Sequence, residues 1–193
     1  IETNRRLGLL HYKNKNYSKA MEPLRDYIIF NPDSSNVLAT FADILFQEQR
    51  YPESIDAYQR LYDADSSQVD YLFNIANSYI KMDEMVNAKE TLTKYILLGK
   101  VDSEILFTLA NIESELGDHN NAILHYQMAI NLGKPTVNMF YNLAMSYAQK
   151  NDYSKALESF EKALKLDPSD FEITYQIGIC YKELQAYQEA IDY

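Results

Sequence analysis

A shift of 34 residues lays this chain onto itself without a gap, and that register constrains its fold more than any other feature. Blocks begin at Ile1, Ser35, Val69, Ser103, Val137 and Phe171. The repeats span 1–34, 35–68, 69–102, 103–136, 137–170 and, as a partial sixth, 171–193. Block position 8 holds only small residues: Gly8, Ala42, Ala76, Ala110, Ala144 and Gly178. Position 20 does the same with Ala20, Ser54, Ala88, Ala122, Ala156 and Ala190. Position 7 is apolar throughout, from Leu7 and Phe41 to Leu143 and Ile177. Position 24 carries Leu24, Tyr58, Leu92, Tyr126 and Phe160.

Two antiparallel helices approach closely only where their side chains are small, so positions 8 and 20 are expected at a helix crossing, one on each helix. The large residues at positions 7, 11 and 24 fill the space around it at helical spacing. The pattern predicts helix A near positions 2–14 and helix B near 18–30, with Asp118 and Asp152 in the turn between them. Asn31-Pro32 and Asp167-Pro168 end helix B in their repeats. Pro52 falls in a first helical turn, where a missing N–H is harmless. Pro23 lies past that turn and predicts a local kink or a late helix start.

The fifth block, VNMFYNLAMSYAQKNDYSKALESFEKALKLDPSD, resembles the tetratricopeptide repeat, a 34-residue helix–turn–helix. The resemblance covers the whole chain. It implies an all-α fold, a single right-handed α-solenoid of stacked antiparallel helix pairs over residues 1–193. It also implies that helices A line a concave surface, with positions 2, 5, 6, 9 and 13 facing the groove. The groove residues expected to touch a partner are Phe73, Asn74, Asn77, Phe107, Asn111, Tyr141, Asn142, Met145 and Tyr175. Amides there would bond an extended backbone and rings would take side chains. Aromatic residues at position 5 and Asn at position 6 are also simply common in the repeat.

The chain departs from the carboxylate-clamp form of the family. A clamp needs a base at position 5 with Asn at 9, Asn at 6 of the next repeat, and bases at 2 and 6 of a third. Leu9 and Thr40 break the pattern, and Asp70 and Asn74 stand where bases are required. A non-clamp member is therefore expected.

Position 3 is apolar in Val37, Tyr71, Ile105, Met139 and Ile173 but polar in Thr3, which reads as an end of the solenoid. At the other end Tyr187, Ala190, Ile191 and Tyr193 form an apolar face. Further repeats, a capping helix or another copy would cover it. With Ile1 in place of Met, the chain reads as a piece of a longer one.

Net charge is −10, distributed as +2 on the first repeat and −12 on the other five. Such a surface repels phosphate backbones and anionic bilayers, so neither nucleic acid nor membrane is expected as partner. This bipolar charge could orient a basic protein or peptide, but the preferred reading is the plainer one, an acidic surface that keeps a solenoid in solution. A single cysteine, Cys180, excludes an intrachain disulfide, fits a reducing compartment, and gives a cytoplasmic expectation.

Catalytic chemistry is not legible. His11 sits where helix A carries Tyr elsewhere and is expected to pack. His119 and His125 are six apart and face differently, and no His pair has metal-ligand spacing. Cys180 occupies position 10, held by Leu10, Ile44 and Ile112 in other repeats, and is expected to be a small packed residue. Glu113 and Glu115 are expected on solvated helix faces. No cofactor is implied. The expected function is a non-catalytic scaffold that holds a peptide or protein segment in the groove. The alternatives are self-assembly through Tyr187, Ile191 and Tyr193, or the recognition arm of a larger enzyme.

Overall fold

The computed structural model describes residues 1–193 as twelve α-helices joined by short turns, with no strand. They divide into two compact units, 1–99 and 100–193. The first holds α1 (Glu2–Lys13), α2 (Tyr17–Phe30), α3 (Ser35–Gln47), α4 (Tyr51–Ala64), α5 (Asp70–Lys81) and α6 (Met85–Leu97). The second holds α7 (Ser103–Glu115), α8 (His119–Leu132), α9 (Val137–Gln149), α10 (Tyr153–Leu166), α11 (Phe171–Glu183) and α12 (Tyr187–Asp192). Odd-numbered helices are the expected helices A and even-numbered ones the helices B; the first eleven lie within about a residue of their expected bounds, and α12 starts on register in the partial sixth repeat.

The small residues sit where helix pairs cross. Ala42, Ala76, Ala110 and Ala144 on helices A are fully buried, as are Ala20, Ser54, Ala88, Ala122 and Ala156 on helices B. A Cβ added to Gly8 would come within 2.4 Å of the Leu24 side chain, so α1 and α2 approach as closely as a glycine permits. In the second pair the Ser54 hydroxyl donates to the Ala42 carbonyl at 3.0 Å, tying the two small positions together.

Every A-to-B turn has one construction. The residue at position 15 takes a positive φ: Lys15, Gln49, Asp83, Asn151 and Gln185 near +60°, and Gly117 at +79°. The next residue's N–H returns to the carbonyl at position 11, as in Asn16 to His11 (2.9 Å), Asp118 to Glu113 (2.8 Å) and Ala186 to Tyr181 (2.9 Å). That pairing is a Schellman motif, which satisfies the last carbonyls of helix A. Position 16 then opens helix B, and in α8 and α10 the Asp118 and Asp152 carboxylates cap the backbone N–H groups of Asn121 and Lys155. Nothing crowds a Cβ at Gly117, so only its backbone angle restricts substitution there. Gly117→Val is expected to lower stability by roughly 1–2 kcal/mol in urea unfolding, and Gly117→Asn by clearly less. Equal losses would show that the turn does not hold this residue left-handed.

Two expectations change. Helix α2 starts on time at Tyr17 and runs through Pro23, with no late start. The shared turn, with Asn16 N–H on the His11 carbonyl, and the buried Ala20 against Gly8 set the start before the proline is reached. Pro23 removes a single interior N–H. Glu113 is not on a solvated face: only 2% of it is exposed, and its Oε2 lies 2.6 Å from His125 Nδ1. It takes position 11, a core position held by Tyr147 and Tyr181 in later repeats, and His125 across the crossing supplies the polar partner that makes its burial tolerable. Glu115, one turn side away, is exposed as expected.

In the first unit one buried cluster is Ala20, Leu24, Val37 and Ile44, with Tyr12, Tyr17, Tyr27 and Phe41 packed around it, and Leu61, Leu72, Ile75 and Leu92 are buried further along. In the second, Phe160, Ile173, Ile177 and Cys180 form the largest cluster, beside a smaller one of Ala110, Ala122, Tyr126 and Leu143. Cys180 is buried as expected, which pushes its thiol up to about 11, and it packs as a small apolar residue. His11 is half-buried. No helix is long and apolar enough to cross a membrane.

Candidate functional site

The expected groove residues sort into three groups. The position-5 rings lean on a helix-B ring of their own repeat: Phe73 on Tyr95 with centroids 5.9 Å apart, Phe107 on Tyr126 at 5.7 Å, and Tyr141 edge-on to Phe160 at 5.6 Å. Each remains half-buried, so much of the aromatic row serves packing within its repeat. The Tyr141 hydroxyl donates to Glu172 at 3.4 Å, and partial burial followed by that carboxylate raises its pKa. Tyr175 stands apart from the other rings. It is 64% exposed and lies with Phe171, Tyr187, Ile191 and Tyr193 around an open apolar hollow of about 520 Å³.

The amides form the third group, and they define a hollow in each unit. In the first, Asn74 and Asn77 of α5 face Asp43 and Gln47 of α3, with Tyr58 of α4 behind Asp43. Tyr12 and Tyr17, whose ring centroids are 6.0 Å apart, close one side, and the hollow measures about 320 Å³. In the second unit, Asn142 and Met145 of α9 face Asn111, Ser114 and Glu115 of α7, with Tyr126 of α8 behind, around about 300 Å³. The residues correspond two repeats apart: Asp43 with Asn111, Phe46 with Ser114, Gln47 with Glu115, Tyr58 with Tyr126, Asn74 with Asn142 and Asn77 with Met145.

One hydrogen-bond rule builds both floors. The position-24 tyrosine hydroxyl on helix B donates to the position-9 side chain on helix A of the same repeat. Tyr126 donates to Asn111 Oδ1 at 2.7 Å, and Tyr58 donates to Asp43 Oδ1. A second donor then reaches the same group from a neighbouring repeat. Asn142 Nδ2 reaches Asn111 Oδ1 at 2.9 Å, and the Tyr12 hydroxyl reaches Asp43 Oδ2 at 3.1 Å. Burial pushes the Tyr126 hydroxyl up to about 12, with the Glu113 charge adding to it, so it stays a donor. Burial and the Asp43 carboxylate raise the Tyr58 hydroxyl in the same way.

The chemistry of the two hollows differs. The first has a carboxylate floor with aromatic walls, the second a neutral amide floor with a thioether, a serine and the exposed Glu115 carboxylate at its wall. Asn74, Asn77, Asn111, Asn142 and Met145 are thus brought into two hollows, whereas Phe73, Phe107, Tyr141 and Tyr175 line neither. Asp43, Tyr12, Tyr58 and Tyr126 were not singled out from the sequence. The signal was present in the tyrosine at position 24 fifteen residues after a polar position 9, found in the second and fourth repeats.

Models of the tetratricopeptide repeat match residues 70–97, 103–132 and 137–170. No curated protein matches the chain. Among solved structures, a crystal structure of MamA protein superposes with a TM-score of 0.77 at 22% identity, covering 83% of this chain and 88% of that one. YrrB, a TPR protein with an unusual peptide-binding site, gives a TM-score of 0.77 at 20% identity over 90% of this chain and 89% of that one. A tetratricopeptide repeat protein from Parabacteroides merdae gives a TM-score of 0.76 at 14% identity over 99% of this chain and 76% of that one. The fold, the six-block register and the three family matches agree that this chain belongs to the tetratricopeptide repeat family.

Proposed function

We propose that the chain is a non-catalytic protein-interaction scaffold whose A-helix side chains hold an extended peptide or protein segment. The observation that carries this reading is the recurrence of the amide-bearing hollow: each unit presents polar groups at positions 6 and 9 around the same tyrosine-braced floor. Amides donate and accept at once, so they suit an extended backbone whose N–H and C=O groups alternate. That a solved relative in fold, YrrB, is a TPR protein with a peptide-binding site is in keeping with it.

Selection of a random dodecapeptide library on the folded chain, followed by titration of the enriched peptides, tests this reading. Asn74→Ala in the first unit and Asn142→Ala in the second are each expected to weaken a selected peptide by about tenfold, the equivalent of one lost bond to a buried polar group. Met128→Lys, on the exposed part of α8, serves as the control and is expected to change nothing. Peptides that bind both asparagine variants as tightly as the parent chain would sink the groove reading.

A further inference from the structure

We propose that the first unit's hollow is a cation box that takes the side chain of a lysine or arginine from a bound peptide, with Asp43 as its counter-charge. This inference deepens the groove reading above and rests on it for the source of the side chain. Among the residues around the hollow, Asp43 alone is charged, and no lysine or arginine contributes to the wall. The carboxylate is held in place by hydroxyl donors from two sides, Tyr12 on Oδ2 and Tyr58 on Oδ1. Two hydroxyl bonds fix its orientation but leave its charge uncompensated, and about four acceptor directions are available on a carboxylate. Its open acceptor sites therefore suit a cation better than a neutral amide.

The walls fit the same ligand. Tyr12, Tyr17 and Phe46 present ring surface to the hollow, and a cation held near ring faces gains further where water is displaced. Asn74 and Asn77 offer carbonyl oxygens to the remaining N–H groups of an ammonium or guanidinium. The second unit supplies the comparison within the same chain. There Asn111 replaces Asp43, Ser114 replaces Phe46 and Met145 replaces Asn77, so the braced floor carboxylate, a ring and an amide are lost together, and the one carboxylate present, Glu115 in place of Gln47, is an exposed wall residue. The net charge of −12 over repeats two to six would draw a basic segment towards the chain in the first place.

Two-dimensional NMR titration of the full chain with N-acetyl-lysine methylamide, N-acetyl-arginine methylamide and N-acetyl-norleucine methylamide tests the box without needing a peptide ligand. The two basic probes are expected to shift the Asn74 and Asn77 side-chain amides, and the norleucine probe is not. Asp43→Asn keeps an acceptor for one tyrosine, while its NH2 can donate to the hydroxyl oxygen of the other, and it is expected to weaken the basic probes by about tenfold or more. Asn77→Asp, which adds a second carboxylate, is expected to tighten them several-fold and serves if the first variant unfolds. Norleucine shifts of equal size would overturn the proposal. So would an Asp43→Asn chain that binds as before, or equal shifts at Asn111 and Asn142. The two readings fail separately: peptides lost on Asn142→Ala with no response to the lysine probe leave the groove and remove the box, and the reverse result removes the groove.

Discussion

Replacing His125 alone by Ala is expected to lower the unfolding free energy of the chain by about 3 kcal/mol, as a buried carboxylate stripped of one partner does. Glu113 is 2% exposed, and its Oε2 lies 2.6 Å from His125 Nδ1. Without the imidazole, the carboxylate keeps its desolvation penalty and loses a bond that helps to offset it. The second repeat shows how to remove the problem, because Leu45 and Ala57 occupy the positions equivalent to Glu113 and His125. The double change Glu113→Leu with His125→Ala installs that apolar pair and is expected to recover most of the loss. Urea unfolding of the two single variants and the double closes the cycle. A His125→Ala loss below about 1 kcal/mol, or a double variant no better than the single one, would mean that the pair is not what holds this crossing.

The same pair shows where sequence reasoning stops. The positions that set the fold are small, apolar or left-handed residues, and their periodicity is a property of the chain alone. Ala42, Ala76, Ala110 and Ala144 were expected at crossings and are buried there. Helices start and stop where the 34-residue register placed them because each turn closes through the same two backbone bonds. Charge reads differently. A lone glutamate in a helix is most often solvated, and only the crossing geometry brings position 23 of helix B against position 11 of helix A.

The candidate site was legible in part for a related reason. Asn74, Asn77, Asn111, Asn142 and Met145 lie on one helix face by periodicity, so their grouping followed from the register. Which other side chains join them depends on rotamers and on contacts spanning two repeats. The bond from Asn142 to Asn111 covers 31 residues and that from Tyr12 to Asp43 covers 31 as well. Position 5 is ambiguous in the sequence because an aromatic on a groove-facing position can also lean onto helix B. Phe73, Phe107 and Tyr141 each find a ring there within 6 Å, a contact worth about 0.5–1.5 kcal/mol beyond area burial.

Phe160→Ala is expected to have the largest effect of any single truncation in the second unit, about 3–5 kcal/mol. Its ring is fully buried and sits in the cluster with Ala144, Ala156, Ala163, Ile173 and Ile177, residues drawn from α9, α10 and α11. Three of these neighbours are alanines, which cannot reach into the space left behind, so the surrounding side chains can fill it only in part. The cavity would persist, and its cost adds to the lost transfer energy of the ring. Phe30, 68% exposed at the end of α2, is the matched control, and its change to Ala is expected to cost less than about 0.5 kcal/mol. The substitution reaches the candidate site as well. Tyr141 rests edge-on against Phe160 and bonds Glu172, so without the ring it loses the support that orients it. Phe160→Leu refills most of the volume without an aromatic edge. It is therefore expected to restore most of the stability while leaving the Tyr141 ring freer, which line widths of its ring protons would report. Equal losses for Phe160→Ala and Phe30→Ala would show that the helix pairs of this unit are not held by the packing around the small-residue crossings.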